Sequence, residues 1–220
     1  MNELLFFVHV LSVGLMVISS QKFGKVGLTL IFCFQVLLAN LFILKQMKCF
    51  GLTITCTDTF IIGCDFALGL LQRIFGEKSA KEATYLCFGL MLFFIILSQL
   101  HLLYYPASTD HYHLIYQSLF KLTPRIVISS LIVSFCSQKL NIFLQKKVSE
   151  RTSRLTFLLF GPIFISQLFD TIAFTFCGLY GEVDHLLDII VMSYLIKVIT
   201  IFSMSVFSKL SIKFDPELKT

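Results

Sequence analysis

Charge is scarce in this chain. Asp, Glu, Lys and Arg make up 14% of its 220 residues, against 56% hydrophobic residues and a mean hydropathy of +0.85. That deficit excludes an ordinary soluble domain and points to an integral membrane protein. Tryptophan is absent, so stacking on a planar heterocycle would fall to the 25 phenylalanines. No ten-residue stretch alternates polar and apolar residues as a barrel strand does, and an open sheet would leave backbone groups unpaired in lipid; only helices remain as spans. The seven cysteines form no CxxC pair and lie in or beside apolar runs, where Cys is a small packing residue, so neither disulfides nor zinc are expected. There is no glycine-rich phosphate cradle or nucleotide signature, and no Ser/His/Asp or HExxH arrangement at membrane depth. Enzyme chemistry and cofactors are therefore not expected.

What is present is a series of apolar segments. At about 20 residues per crossing, seven fit: 4–20, 26–44, 52–72, 83–105, 119–144, 157–179 and 185–208. The expected fold is an all-α membrane bundle of six to seven helices, forming one transmembrane domain over 1–220 with no linker. The first segment lacks the basic flank of a signal peptide, Glu3 being its only preceding charge, and is read as a retained helix. Basic residues concentrate on alternate loops. Lys22, Lys25, Arg73, Lys78, Lys81, Lys146, Lys147, Arg151, Arg154, Lys209, Lys213 and Lys219 fall on one side, and only Lys45, Lys48, Lys121 and Arg125 on the other, beside Glu3, Asp110, Glu182 and Asp184. Cytoplasmic loops are enriched in Lys and Arg, so the N-terminus is expected outside and the C-terminus in the cytoplasm. The net charge of +5 is accounted for by orientation and requires no nucleic-acid partner.

An ionisable side chain at a helix centre costs at least about 2.5–3.5 kcal/mol unless it is paired or faces water. Four such residues stand out: Asp65, Lys139, Asp170 and Lys197. Asp170 and Lys197 lie at similar depth on consecutive helices, which predicts an interhelical ion pair; neutralisation for folding alone is the competing reading. Ser166 and Gln167 precede Asp170 by one turn and Thr171 and Thr175 follow it, giving one helix face a carboxylate, an amide and hydroxyls. The pattern recurs 29 residues earlier, "SQKLNIF" at 137–143 against "SQLFDTI" at 166–172, so Gln138 and Asn141 match Gln167 and Asp170. Paired amide-rich faces suit a transporter built from internal repeats. Carboxylate and amide together can read a ring edge that carries N–H donors beside an acceptor, as guanine-like bases do.

Several stretches resemble the queuosine precursor transporter family (the VUT or YhhQ type), over almost the whole chain. They are "LLAN" at 37–40, "RIFGEKSAKEA" at 73–83, "YYPASTD" at 104–110, "PRIVISSLIVSFCSQKLNIFL" at 124–144, "SQLFDTIAF" at 166–174 and "SYLIKV" at 193–198. The resemblance implies uptake of a 7-deazaguanine base across the bacterial cytoplasmic membrane for tRNA modification. It also implies a fold similar to the substrate-binding subunits of vitamin transporters, and it is compatible with a homodimer. Gln167 and Asp170 would hold the base edge, with Ser166 beside them. Gln138 and Asn141 would face them, Lys197 would orient Asp170, and Asn40 and Asp65 would contribute secondarily.

Two positions depart from the family pattern. Gly69 stands where members usually carry an acidic residue, and Asn141 where the first Ser-Gln-x-x-Asp motif ends in Asp. Both remove a charge, which makes queuine the leading substrate. The alternatives are a vitamin-binding subunit docking with an ATP-driven module, and a cation carrier using His101, Asp110, His111 and His113; a polar outer loop with interfacial Tyr104, Tyr105 and Tyr112 is the plainer reading of that last cluster.

Overall fold

The computed structural model describes residues 1–49, 52–55, 57–149, 155–183 and 186–214. Cys56, Arg151, Arg154, Asp184 and Lys219, named above, lie outside the described residues. The chain is almost entirely helical: α1 (Asn2–Ser20), α2 (Gly24–Phe42), α3 (Asp58–Leu102), α4 (His113–Phe120), α5 (Thr123–Ser149), α6 (Leu155–Phe174) and α7 (Leu186–Phe214). A π-helical turn, Thr175–Leu179, extends α6.

Four helical stretches among the described residues are long and apolar enough to cross a membrane: Asn2–Phe42, Thr59–Leu102, His113–Leu144 and Gly161–Leu179. The division into seven is therefore not reproduced as such, because the first two and the next two expected segments run together and the last, 185–208, has no counterpart among the four. Each of the two longest stretches contains a break, however. The first carries a 3-10 turn, Gln21–Phe23, followed by Gly24 at φ 62°, and the second has Gly76 at φ 83° and ψ 166°, a region essentially restricted to glycine.

The breaks reverse the chain. Cys64 Sγ lies 3.7 Å from the Phe32 carbonyl oxygen, and the Cys87 thiol is in hydrogen-bonding contact with Cys33. In a straight helix at about 1.5 Å per residue, positions 64 and 87 would be roughly 35 Å apart. Both halves of α3 instead lie against α2, and Leu28, Phe32, Ala67, Leu71, Ala83 and Met91 share one buried cluster. Val13 and Gln35 likewise meet at Gly63, so α1 and α2 fold back on each other.

The bundle thus has two ends. At the Arg73 end, the Phe75 ring lies against Gly24 and Lys25 pairs with Glu82 at 2.5 Å. At the opposite end the segment expected to open a helix at 52 is an antiparallel hairpin, β1 (Gln46–Cys49) with β2 (Leu52–Thr55), Gln46 opposite Thr55 and Cys49 opposite Leu52. The alternation of Leu52, Thr53, Ile54 and Thr55 explains this, since β-branched residues suit a pleated, half-buried ribbon and the ladder satisfies the backbone. Ile54 and Cys49 bury against Phe6 and Val10 of α1 and Met192 and Ile196 of α7, capping the bundle. Asn2 donates to the Lys48 carbonyl at 2.5 Å, placing the N-terminus at this hairpin end. Ile43, Ile126 and Leu179 form a further apolar cluster there. Arg125 donates to the carbonyls of Cys177 (3.2 Å) and Tyr180 (2.6 Å) and pairs with Glu182 at 3.5 Å, tying α5 to the π turn.

Candidate functional site

The polar residues singled out in the helices meet in the bundle interior. Lys197 Nζ donates to Asp170 Oδ2 at 2.8 Å, joining α7 to α6 as their matched depth predicts. Lys197 is 4% and Asp170 14% exposed, so the pair is withdrawn from bulk solvent. Ser137 of α5 donates to the other Asp170 oxygen at 3.2 Å. One turn before Asp170, Gln167 Nε2 donates to Asp65 Oδ2 of α3 at 2.7 Å. Asp65 is in turn within electrostatic reach of Asp170 and Lys197. Four helices therefore contribute to a network of two carboxylates, one ammonium, one amide and one hydroxyl.

The network is incompletely satisfied. Gln167 Oε1 is buried and finds no hydrogen-bond donor. Buried acceptors are normally paired, and an orphan costs about 1–3 kcal/mol. Gln167 and Asp65 border the ion pair without lining the cavity beside it. Gln35 is a second orphan: both its amide atoms lack a partner at the junction with Val13 and Gly63, away from the carboxylates.

Beside the ion pair is a small cavity of about 40 Å³, room for ordered water and well under the 300–1,000 Å³ typical of fully formed small-molecule sites. Asp170 and Lys197 form one wall. Ser130 and Ser134 of α5 form another, Asn40 and Ala39 of α2 a third, Thr57 and Ile61 come from α3, and Phe174 and Ile43 close it toward the hairpin end. Asn40 donates its amide N–H to the Val36 carbonyl at 2.8 Å, which turns Oδ1 free for a donor. The Phe174 ring is seated against Gly178, where a Cβ would press on it.

Not every expected residue reaches this cavity. Ser166 is buried but donates to the Ile163 carbonyl at 3.0 Å, and Thr171 to the Gln167 carbonyl at 2.8 Å, so both hydroxyl protons are used within α6. Gln138 and Asn141 are half-buried further along α5 toward the Arg73 end and do not line it. Lys139 is exposed, its Nζ 5.4 Å from the Phe135 ring centroid, apart from the network. Sequence reasoning missed Ser130 and Ser134 as lining groups and Ser137 as a donor to Asp170, although their i, i+4, i+7 spacing marks one face of α5. The histidine region serves local structure: Asp110 Oδ1 accepts from the backbone N–H of Tyr112 (2.8 Å) and His113 (3.2 Å), and His101 packs edge-on against Tyr104 and Tyr116. Among the described residues no group of three or more His, Cys, Asp or Glu is arranged to hold a metal ion.

Apolar membrane-length helices around a buried charged network and a small cavity define a multi-pass membrane protein with a polar centre, and the transporter class follows from its relatives. Residues 59–210 match the family described as "Putative vitamin uptake transporter". The chain is also 31% identical over 202 residues, 89% of its own length and 88% of the relative's, to the "Probable queuosine precursor transporter" of Bacillus subtilis (strain 168). No solved structure matches. The chain belongs to this uptake transporter family, and it is a transporter of a small molecule, not an enzyme.

Proposed function

We propose that this protein imports a 7-deazaguanine base, a queuosine precursor or queuine, across the bacterial cytoplasmic membrane for tRNA modification. The observation that carries the reading is the Asp170 network: a buried carboxylate held by Lys197 and Ser137, bordering a cavity and next to an unsatisfied amide oxygen on Gln167. A guanine-type edge presents adjacent N–H donors, and a carboxylate with a neighbouring amide oxygen can accept from both. The name of the Bacillus subtilis relative, a queuosine precursor transporter, supports the same cargo. Phe174, fixed at the edge of the cavity, offers a face on which a planar ring would stack. Queuine remains the leading substrate on the departures from the family pattern at Gly69 and Asn141, although neither lines the cavity and any effect on the cargo would act from outside it.

In this reading the chain crosses the membrane seven times, the breaks near Gly24 and Gly76 serving as turns, with the lysine-rich Arg73 end in the cytoplasm and the N-terminus outside. Transport exposes the midplane site alternately to each side. The test is tRNA queuosine content in a bacterium unable to make the base or import its precursors, supplied with a compatible base-exchange enzyme. The strain expresses this protein or its Asp170→Ala variant, and each base is added separately. Modification that appears with queuine and is lost in the variant is the expected result. No modification with any base, while the protein is demonstrably in the membrane, overturns the reading and favours a vitamin, in line with the family description.

A further inference from the structure

We infer that Asp65, Gly69 and Gln72 line a hydrated cleft leading from the polar network to the Arg73 end, and that this cleft is the route by which a planar base leaves or reaches the site. Its use by such a base rests on the function proposed above; its hydration does not.

The evidence begins with the exposure of α3. Between 59 and 73 the exposed described positions are Asp65, Gly69, Gln72 and Arg73, and none is a large apolar residue. Asp65, Gly69 and Gln72 follow i, i+4, i+7 spacing and so form one stripe. The second half of the same helix behaves in the opposite way, exposing Tyr85, Leu86, Phe88, Phe93, Ile96 and Leu100, as a lipid-facing surface does. A carboxylate and a primary amide are not tolerated on a lipid face. Water, not hydrocarbon, is the medium that suits the stripe.

The surroundings of Asp65 agree. Its carboxylate is densely enclosed by protein and bonded to Gln167, yet it retains accessible surface, which is the condition of a side chain lining a cleft. One turn on, a Cβ built on Gly69 meets nothing within 4 Å, so the middle of the stripe is open space. The other end of the bundle is closed by the Ile43, Ile126 and Leu179 cluster and by the hairpin. The exposed polar stripe therefore runs from the network toward Arg73, whereas apolar clusters lie at the opposite end. Gly69 has helical geometry without positive φ, so its lack of a side chain is a matter of clearance in the path, not of backbone need.

Thiol accessibility tests this in the full-length protein in membrane vesicles of both orientations, with Cys136 and Cys177, the exposed described cysteines, and Cys56 replaced by Ser. A membrane-impermeant charged maleimide is expected to label Gly69→Cys and Gln72→Cys from the Arg73 side at least about tenfold faster than Leu86→Cys or Phe93→Cys, because only a hydrated thiol ionises to the reactive thiolate. Labelling no faster than at those two controls overturns the cleft. Addition of the 7-deazaguanine base is expected to slow labelling at Gly69→Cys. Rapid labelling that no 7-deazaguanine alters keeps the hydrated cleft and overturns its use by that cargo. Gly69→Trp should abolish base uptake while Gly69→Ala preserves it; uptake through Gly69→Trp at the parental rate, with the protein folded in the membrane, also overturns the route.

Discussion

Asp170 and Lys197 form a buried ion pair at 2.8 Å. Removing one member of a buried pair strands the other charge, at a cost of about 3–5 kcal/mol, whereas replacing both with neutral groups is often tolerated. Lys197→Met and Asp170→Asn are therefore each expected to lower the melting temperature of the detergent-solubilised protein substantially, and the double variant to recover most of it. Uptake should not recover in the double variant, because the carboxylate proposed to read the cargo is gone. Recovery of uptake with stability would assign the pair to folding alone. This pairing was legible in the sequence because two opposite charges at one depth in lipid have few other options. The Asp65 to Gln167 bond was not, since its partners stand 102 positions apart and no local pattern marks them.

At the scale of elements, the reversal of α3 depends on one residue. Gly76, at φ 83° and ψ 166°, occupies a region that other residues enter only with strain of about 1–3 kcal/mol. Gly76→Ala should accordingly destabilise the protein, while Gly69→Ala, in helical geometry and open space, should be neutral or slightly stabilising. Thermal unfolding of the two variants side by side separates a backbone requirement from a clearance requirement. A charge swap checks the same fold-back. Lys25→Glu or Glu82→Lys alone sets like charges face to face across the Arg73 end, and the two together restore attraction. Expression and melting are expected to fall in the single variants and return in the swap. Hydropathy located the apolar segments but could not locate the hairpin at 46–55, because apolarity marks burial and does not distinguish a capping ribbon from the start of a helix. Ser130 and Ser134 escaped notice for a related reason: an isolated hydroxyl in an apolar helix commonly bonds its own backbone, and only the arrangement of the neighbouring helices shows which ones border a cavity.

Across the whole molecule, the contacts divide by when their partners are made. The cluster joining α2 to both halves of α3 is built mostly from residues 28–91, a stretch consecutive in sequence, and such local contacts close early. The proposed transport site is different. It needs Asp65 from near the start, Ser137 and Asp170 from the middle, and Lys197 from the last helix. During synthesis Asp170 therefore enters the membrane before its cation exists, and every nascent chain passes through a stage with an uncompensated carboxylate in its interior. A chain ending at Leu179 is arrested at that stage and should be cleared rapidly by membrane proteases, whereas the same truncation carrying Asp170→Asn should survive longer in a pulse-chase measurement. The ion pair that serves the finished transporter would then also act as its completion signal, satisfied only once the final helix has arrived.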